Sequence, residues 1–260
     1  MKRILILAGT TEGRRLTEFL AGKPAEVIVS VATEYGKECM DGVDAPNIRV
    51  HTGRMNEIEM CEFLEKEQIG LAVDATHPFA VLVTENIRKA CNDRNVEYLR
   101  CVRDWQEWED TKSKVVRVDS VKEAVQYLQD TTGNILISTG SKELEEYTKL
   151  QNYQNRCFAR VLSALPSVEA SIRLGFEGNH LIAMQGPFSR ELNLAMLQAV
   201  DAAYFVTKES GKSGGFLEKI QAAKEAGACL IVIGRPKESG SNLEKTKEIL
   251  EKWLKNDQNR

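Results

Sequence analysis

Apolar positions over the first hundred residues alternate between short continuous runs and stretches with helical spacing. Arg3–Ala8 is one run; Glu12–Leu20 then sets Leu16, Phe19 and Leu20 on one helical face. Glu26–Ala32 is a second run and Ile48–His51 a short third. Asn56 is an N-cap candidate ahead of Ile58, Met60, Cys61, Phe63 and Leu64, a helix with one apolar face. Gly70–Ala75 makes a fourth strand, Ala80–Asp93 a helix and Glu97–Val102 a fifth strand. Apolar strands separated by helices of roughly ten to fifteen residues mark β-α-β units and a parallel sheet covered on both faces.

Asp104–Lys114 breaks the rhythm: it is charged, lacks a period, and holds Trp105 and Trp108, large side chains that favour a packing partner. It reads as an interdomain connection. The alternation then resumes. Val115–Val118, Asn134–Ser138, Arg156–Val161, His180–Met184, Ala203–Thr207 and Cys229–Ile233 are strands. Ser120–Gln129, Lys142–Leu150, Ser167–Leu174, Ser189–Ala199 and Phe216–Ala226 are the helices between them. The pattern predicts an α/β protein with two parallel sheets of about five strands each. The expected boundaries are a first domain over residues 1–104, a second over 115–242, and an amphipathic C-terminal helix with a frayed polar tail over 243–260.

Composition narrows the function. The net charge is −3, from 35 basic and 38 acidic residues, so no global field draws the chain to nucleic acid or to an anionic membrane. No apolar run approaches the ~20 residues of a membrane span, and Ile4–Ala8 is shorter than the ~7–15 residues of a signal-peptide core. The six cysteines show no C-x-x-C, and the histidines are His51, His77 and His180. A metal centre is not expected, and the cysteines read as reduced thiols of a cytoplasmic protein.

Three features carry chemistry, all at strand ends, where open parallel sheets bind ligands. In Gly9-Thr10-Thr11-Glu12-Gly13-Arg14 a strand turns through glycine into a helix. Gly9 permits the tight turn, Gly13 a close approach to strand or phosphate, and the free amides face an anion. Thr11 stands where the dinucleotide fingerprint has its middle glycine, and the plain alternative is a β-α turn with a threonine cap. No clean acid ends the second strand at Thr33-Glu34; Arg14, Lys37 and Arg54 favour a 2′-phosphate, hence NADP. In Asp74-Ala75-Thr76-His77-Pro78-Phe79-Ala80, Pro78 suits a first helical turn, Thr76 is a candidate cap, and His77 is either functional or structural. The third feature is Lys208-Glu209-Ser210-Gly211-Lys212-Ser213-Gly214-Gly215. It is not a P-loop, since Val206 occupies the position of the required glycine; it reads as a polyanion-binding loop or a solvated one. Ser138–Lys142, Gln185–Phe188 and Gly234-Arg235-Pro236 end other strands, and Lys142, Arg160 and Arg235 add cations to one polar rim suited to several carboxylates.

Taken in order, Gly9–Arg14, Asp74–Ala80, Lys208–Gly211 with Gly214-Gly215, and Ile233–Pro236 resemble the precorrin-6A reductase family of cobalamin biosynthesis, over residues 4 to about 236. The resemblance implies two Rossmann-like α/β domains with parallel sheets and an interdomain active-site cleft. It implies NADPH-dependent reduction of one double bond in a corrin precursor, with or without cobalt, whose acetate and propionate arms suit the cationic rim. On motif position, the dinucleotide falls to Gly9, Thr10, Thr11, Gly13, Arg14, Thr76, Pro78 and Phe79. The substrate's carboxylates fall to Ser210, Gly211, Lys212, Ser213, Gly214, Gly215 and Arg235. His77 or Lys208 would stabilise charge or deliver a proton. The expected partner is a polycarboxylate macrocycle, with the chain a monomer or small homo-oligomer. Two alternatives stay open: a non-catalytic NADPH-binding redox sensor with Trp105 and Trp108 on its partner surface, and a two-domain nucleotide-sugar or phosphosugar transferase, against which stands the lack of an acidic pair for a metal-bound diphosphate.

Overall fold

A computed structural model describes residues 1–38, 40, 42–43, 45–103, 114–211 and 214–256. Cys39, Trp105, Trp108, Lys212, Ser213 and the last tail residues lie outside the described residues, as does nearly all of the expected interdomain connection. The chain divides into two compact units, Met1–Asp104 with Lys237–Arg260, and Trp105–Pro236.

The first unit is a five-stranded sheet in the order β3-β2-β1-β4-β5, with every pairing parallel. Its strands are β1 (Lys2–Leu7), β2 (Ala25–Val31), β3 (Ile48–Thr52), β4 (Leu71–Asp74) and β5 (Glu97–Arg100). Period-two alternation sends Leu5, Leu7, Ile28 and Ala72 to the face covered by α3 (Glu57–Lys66) and α4 (Val81–Asp93). Ile4, Ile6, Val27, Val29 and Val73 go to the other face, under α1 (Thr11–Leu20) and the C-terminal helix α10 (Leu243–Lys255). A short α2 (Glu34–Glu38), absent from the sequence reading, links β2 and β3.

The position of α10 is the main difference from the expected organisation. The sequence places residues 237–242 in the second domain and leaves the last helix separate. In the structure, the chain from Lys237 onward belongs to the first unit. Leu243, Leu250 and Leu254 complete a core that α1 covers only in part, and the Trp253 ring lies over Gly70, where a Cβ would come within 3.2 Å of it. The segment before α10 extends β5: Ser241 N donates to Arg100 O and Val102 N to Ser241 O, each at 2.9 Å. Only glycine fits at 240, since a Cβ there would lie 2.6 Å from Arg100 O.

The second unit is a six-stranded, all-parallel sheet in the order β6-β11-β10-β7-β8-β9. Its strands are β6 (Val115–Val118), β7 (Asn134–Ser138), β8 (Cys157–Val161), β9 (Leu181–Ala183), β10 (Ala202–Lys208) and β11 (Cys229–Ile233). The expected strand His180–Met184 shortens to the three-residue β9 at an edge. Leu136, Phe158, Phe205, Leu230 and Val232 pack under α8 (Arg190–Ala199) and α9 (Phe216–Ala226). The remaining helices are α5 (Val121–Gln129), α6 (Tyr153–Arg156) and α7 (Leu165–Arg173). Lys142–Leu150, expected as an α-helix, forms a 3-10 helix over Leu144–Lys149. The reason is visible in its spacing: Leu144, Tyr147 and Leu150 are all buried, three residues apart, the period of a 3-10 turn.

Two strands in each sheet send their following connections in opposite directions: β1 and β4 in the first unit, β7 and β10 in the second. Their carboxyl ends are the crevices where doubly wound sheets bind ligands. If α10 completes the first core, Leu250→Ala costs about 2–5 kcal/mol. Denaturant unfolding measures this, and a loss below about 0.5 kcal/mol, the scale of an ordinary surface substitution, would contradict it.

Candidate active site

In the first unit the crevice is built by the turns after β1 and β4. Thr10 caps α1, its hydroxyl accepting from Gly13 N at 3.1 Å and donating to Ala75 O at 2.6 Å, so one side chain joins the two turns. Gly9 has φ +106°, a conformation that favours glycine, and open space surrounds its missing Cβ. The amides of Gly9, Thr10 and Thr11 donate to no group among the described residues. Gly13 serves packing: a Cβ there would lie 3.0 Å from both Cα and Cβ of Ala8, so of the two roles open in the sequence it is the strand that the helix approaches. Glu12, at the mouth of the turn, receives Arg103 Nε at 3.0 Å and Nη2 at 2.9 Å. Burial works to raise the Glu12 carboxyl, but the Arg103 guanidinium outweighs it and holds the carboxyl below its usual value. The acid beside these open amides is therefore matched by a cation.

The second turn hangs on Asp74, which is fully buried at the end of β4. Its Oδ1 accepts from Thr76 N (3.0 Å), Thr76 Oγ1 (2.7 Å) and Arg100 Nη1 (2.8 Å). Its Oδ2 accepts from Thr84 Oγ1 (2.8 Å) and Tyr98 OH (3.1 Å). Burial and the Asp74 charge push the Tyr98 phenol well above its ordinary range, which keeps it a donor. Burial opposes the charge on Arg100, but Asp74 and then Glu238 outweigh it and strengthen its hold on the proton. The Glu238 carboxylate takes Arg100 Nε at 3.0 Å. Because Asp74 takes the Thr76 hydroxyl, Thr76 does not cap α4 as expected. Ala80 is the cap residue, with no side-chain cap bond, and Pro78 is buried in the preceding turn, outside the first helical turn. The half-buried His77 accepts from Phe79 N at Nδ1 (3.3 Å) and stacks on the Phe79 ring. A neutral ring so held carries its proton on Nε2.

Of the proposed 2′-phosphate cations, Arg14 pairs with Glu18 at 2.9 Å, while Lys37 and Arg54 are exposed beyond β2 and β3. Thr33, where β2 ends, accepts from Gly36 N at 3.1 Å.

In the second unit the described residues after β10, Glu209–Gly211 and Gly214-Gly215, lie close together. Glu209 and Ser210 are buried, Glu209 N donates to Ile233 O (2.9 Å) and Ser210 Oγ to Gly214 O (3.2 Å). Gly214 has no room for a side chain, because a Cβ would meet Ser210 Oγ at 2.2 Å; Gly211 and Gly215 both have left-handed φ. The Lys208 ammonium pairs with the Glu143 carboxylate, and Arg235 Nε donates to Glu209 O at 3.0 Å. Lys142 is exposed. The third rim cation, Arg160, is buried, and it lies near a second buried cation, Lys219, that the sequence reading missed. The signal was present: Phe216, Lys219 and Ala223 share the buried stripe of α9, where a lysine is out of place. Arg100, Arg103, Tyr98 and Thr84 were also missed, because nothing local marks them as partners of the turns they hold.

Two all-parallel sheets, with open amides and fixed cations at their switch points, define a doubly wound α/β protein suited to anionic ligands. A family profile described as precorrin-6x reductase CbiJ/CobK matches residues 3–255. The cobalt-precorrin-6A reductase of Methanothermobacter thermautotrophicus is 34% identical over 237 residues, 90% of this chain and 76% of the relative. That of Priestia megaterium is 33% identical, over 90% of this chain and 91% of the relative. The solved structure of CobK precorrin-6A reductase shares the fold, with a TM-score of 0.75 at 22% identity over 97% of each chain. The chain belongs to the CbiJ/CobK family of precorrin-6x reductases.

The Glu12–Arg103 pair makes a pH prediction. A carboxyl held below its unfolded value of about 4.3 stabilises the fold above that pH and loses the contribution as pH falls through its folded value. Wild type is expected to be more stable than Glu12→Gln at pH 7, with the gap closing below about pH 4, the carboxylate range. Melting temperatures from pH 7 to 3 test this; a gap that does not change with pH would remove the pair from the account.

Proposed function

We propose that this chain reduces one carbon–carbon double bond in the ring of cobalt-precorrin-6A, using NADPH. The observation that carries the reading is the family match over residues 3–255; the turns after β1, β4 and β10 lie at the two switch points. The cobalt form is favoured because the two relatives at 33% and 34% identity are cobalt-precorrin-6A reductases. Bound NADPH supplies a hydride, becoming NADP+, and the second hydrogen enters the ring as a proton.

The residues fit a dinucleotide. The unused amides of Gly9, Thr10 and Thr11 at the start of α1 suit the pyrophosphate, with Gly13 letting the helix close on the strand and Arg103 cancelling the charge of Glu12. Thr76, Pro78 and Phe79 form the adjoining wall, ordered by Asp74. The hydroxyl of Thr33 where an NAD site would carry an acid, with Arg14, Lys37 and Arg54 nearby in the chain, supports NADPH over NADH. Ser210, Gly211, Lys212, Ser213, Gly214, Gly215 and Arg235 are assigned to the carboxylate arms of the substrate. Lys208, kept in place by Glu143, and His77, with a donor at Nε2, are the two groups assigned to charge stabilisation or proton delivery. The free thiols Cys61, Cys91, Cys101, Cys157 and Cys229 suit a reducing, cytoplasmic setting.

The test is anaerobic NADPH oxidation with precorrin-6A and its cobalt complex offered separately. Turnover with the cobalt complex is expected; binding of NADPH without turnover of either would overturn the reading. Two variants divide the ligands. Gly13→Ala, which pushes α1 off Ala8, is expected to raise KM for NADPH at least tenfold, a loss of about 1.4 kcal/mol. Lys208→Ala is expected to raise KM for the macrocycle more than KM for NADPH, and the reverse order would exchange the two assignments.

A further inference from the structure

Every buried charge of the first unit described above has an opposite charge beside it. In the second unit Arg160 has none among the described residues, and Lys219, although Glu218 acts on it, forms no ion pair. Arg160, on β8, is 4% exposed and Lys219, on α9, is 8% exposed. Lys219 Nζ donates to Thr207 Oγ1 at 3.1 Å, and Arg160 Nη1 donates to Asn193 Oδ1 at 2.8 Å and contacts Met196 Sδ at 3.4 Å. Neither forms an ion pair with a carboxylate among the described residues. Burial lowers the Arg160 guanidinium to about 10. Burial, with the Arg160 charge adding to it and Glu218 opposing, lowers the Lys219 ammonium to about 7.

Sheet register explains how they come together. Thr207 pairs with Ser138, and Ile137 pairs with Ala159, so Thr207, Ser138 and Arg160 form one row across three adjacent strands, the last position of β7 and one short of the end of β10 and β8. The row lies at the carboxyl end of the sheet, beside the β7/β10 switch point. The Phe188 ring lies 4.2 Å from the guanidinium carbon, and Asn193, which orients Nη1, is itself anchored to Ser189 O at 2.8 Å. Nε and Nη2 donate to nothing described. They are not sealed off either: the one fully buried side-chain nitrogen or oxygen without a partner, among the described residues, is Glu218 Oε2.

A buried cation without a counter-charge lowers stability, so a fold that keeps Arg160 in that state beside a ligand crevice keeps it for an anion. We propose that Arg160 is an oxyanion anchor of the second unit, its Nε–Nη2 edge receiving a carboxylate arm of the macrocycle, with Lys219 supplying a second charge behind it. The assignment of the arm rests on the function proposed above; a phosphate of the cofactor has the same anionic chemistry, and the experiment separates the two.

Arg160→Met keeps much of the volume and removes the charge. It is expected to raise KM for cobalt-precorrin-6A at least tenfold, leave KM for NADPH within twofold, and leave the melting temperature equal or higher. Arg160→Lys recovers part of the loss, because an ammonium retains the charge but not the two-pronged edge. Equilibrium binding of uroporphyrin I, an octacarboxylate macrocycle that is not reduced, gives a readout independent of turnover: wild type binds it and Arg160→Met binds it at least tenfold more weakly. A rise confined to KM for NADPH assigns the anchor to a phosphate and overturns the carboxylate reading. A fall in melting temperature, with both KM values and uroporphyrin affinity unchanged, makes Arg160 structural and overturns the anchor. Wild-type protein that fails to reduce either precorrin-6A form, yet binds uroporphyrin through Arg160, refutes the proposed function while the subsite stands.

Discussion

The first unit depends on one buried charge. Asp74 sits at the end of a central strand with no exposure to water, and an isolated carboxylate there would be strongly destabilising. It is held by donors from its own turn, from α4 and from β5, with Arg100 as the opposing charge. Every element that meets this carboxylate is thereby placed: the Thr76 turn cannot shift without leaving an acceptor unpaired. Arg100 carries the constraint onward to Glu238, at the start of the segment that brings α10 onto the sheet. Thr10 carries it the other way, since its hydroxyl joins the glycine turn to Ala75, next to Asp74. The geometry of the proposed cofactor site and the closure of the core thus share one electrostatic origin.

The second unit handles charge differently. At its switch point the exposed-side cation is matched, Lys208 with Glu143, while the deeper cations, Arg160 and Lys219, form no ion pair among the described residues. A matched pair adds rigidity; an unmatched pair leaves the surrounding potential positive. A cleft intended for several carboxylates gains from the second arrangement, because an acid placed there to satisfy the cations would compete with the substrate for them. Either side of Lys212-Ser213, Ser210 is buried and Gly211 and Gly215 take left-handed φ.

Much of the architecture was legible in the chain. Apolar runs such as Ile4–Leu7 and Cys229–Ile233 can be nothing but central parallel strands, and their alternation with one-sided helices leaves few topologies. The two glycine turns were found for the same reason, since a strand running through glycine into a helix N-terminus is a local event. Where the reading fell short, the deciding contact was remote in sequence or the competing choice was subtle. The Lys142–Leu150 helix became a 3-10 turn because Leu144, Tyr147 and Leu150 bury together at a spacing of three. Thr76 had the composition of a helix cap, but a buried acid two residues earlier took its hydroxyl.

The sequence by itself determined the strands and most of the helices, the two-sheet α/β class, the family and the strand-end turns that are candidates for chemistry, because each depends on patterns within about ten residues or on an ordered set of motifs. Tertiary structure alone decided that α10 belongs to the first sheet, that Arg100 and Arg103 neutralise the acids beside the proposed cofactor site, and that Arg160 and Lys219 lie buried without an ion pair among the described residues. The physical reason is range. Backbone conformation answers to near neighbours, whereas the energy of a buried charge is set by whatever the fold brings within a few ångströms of it, from any distance along the chain.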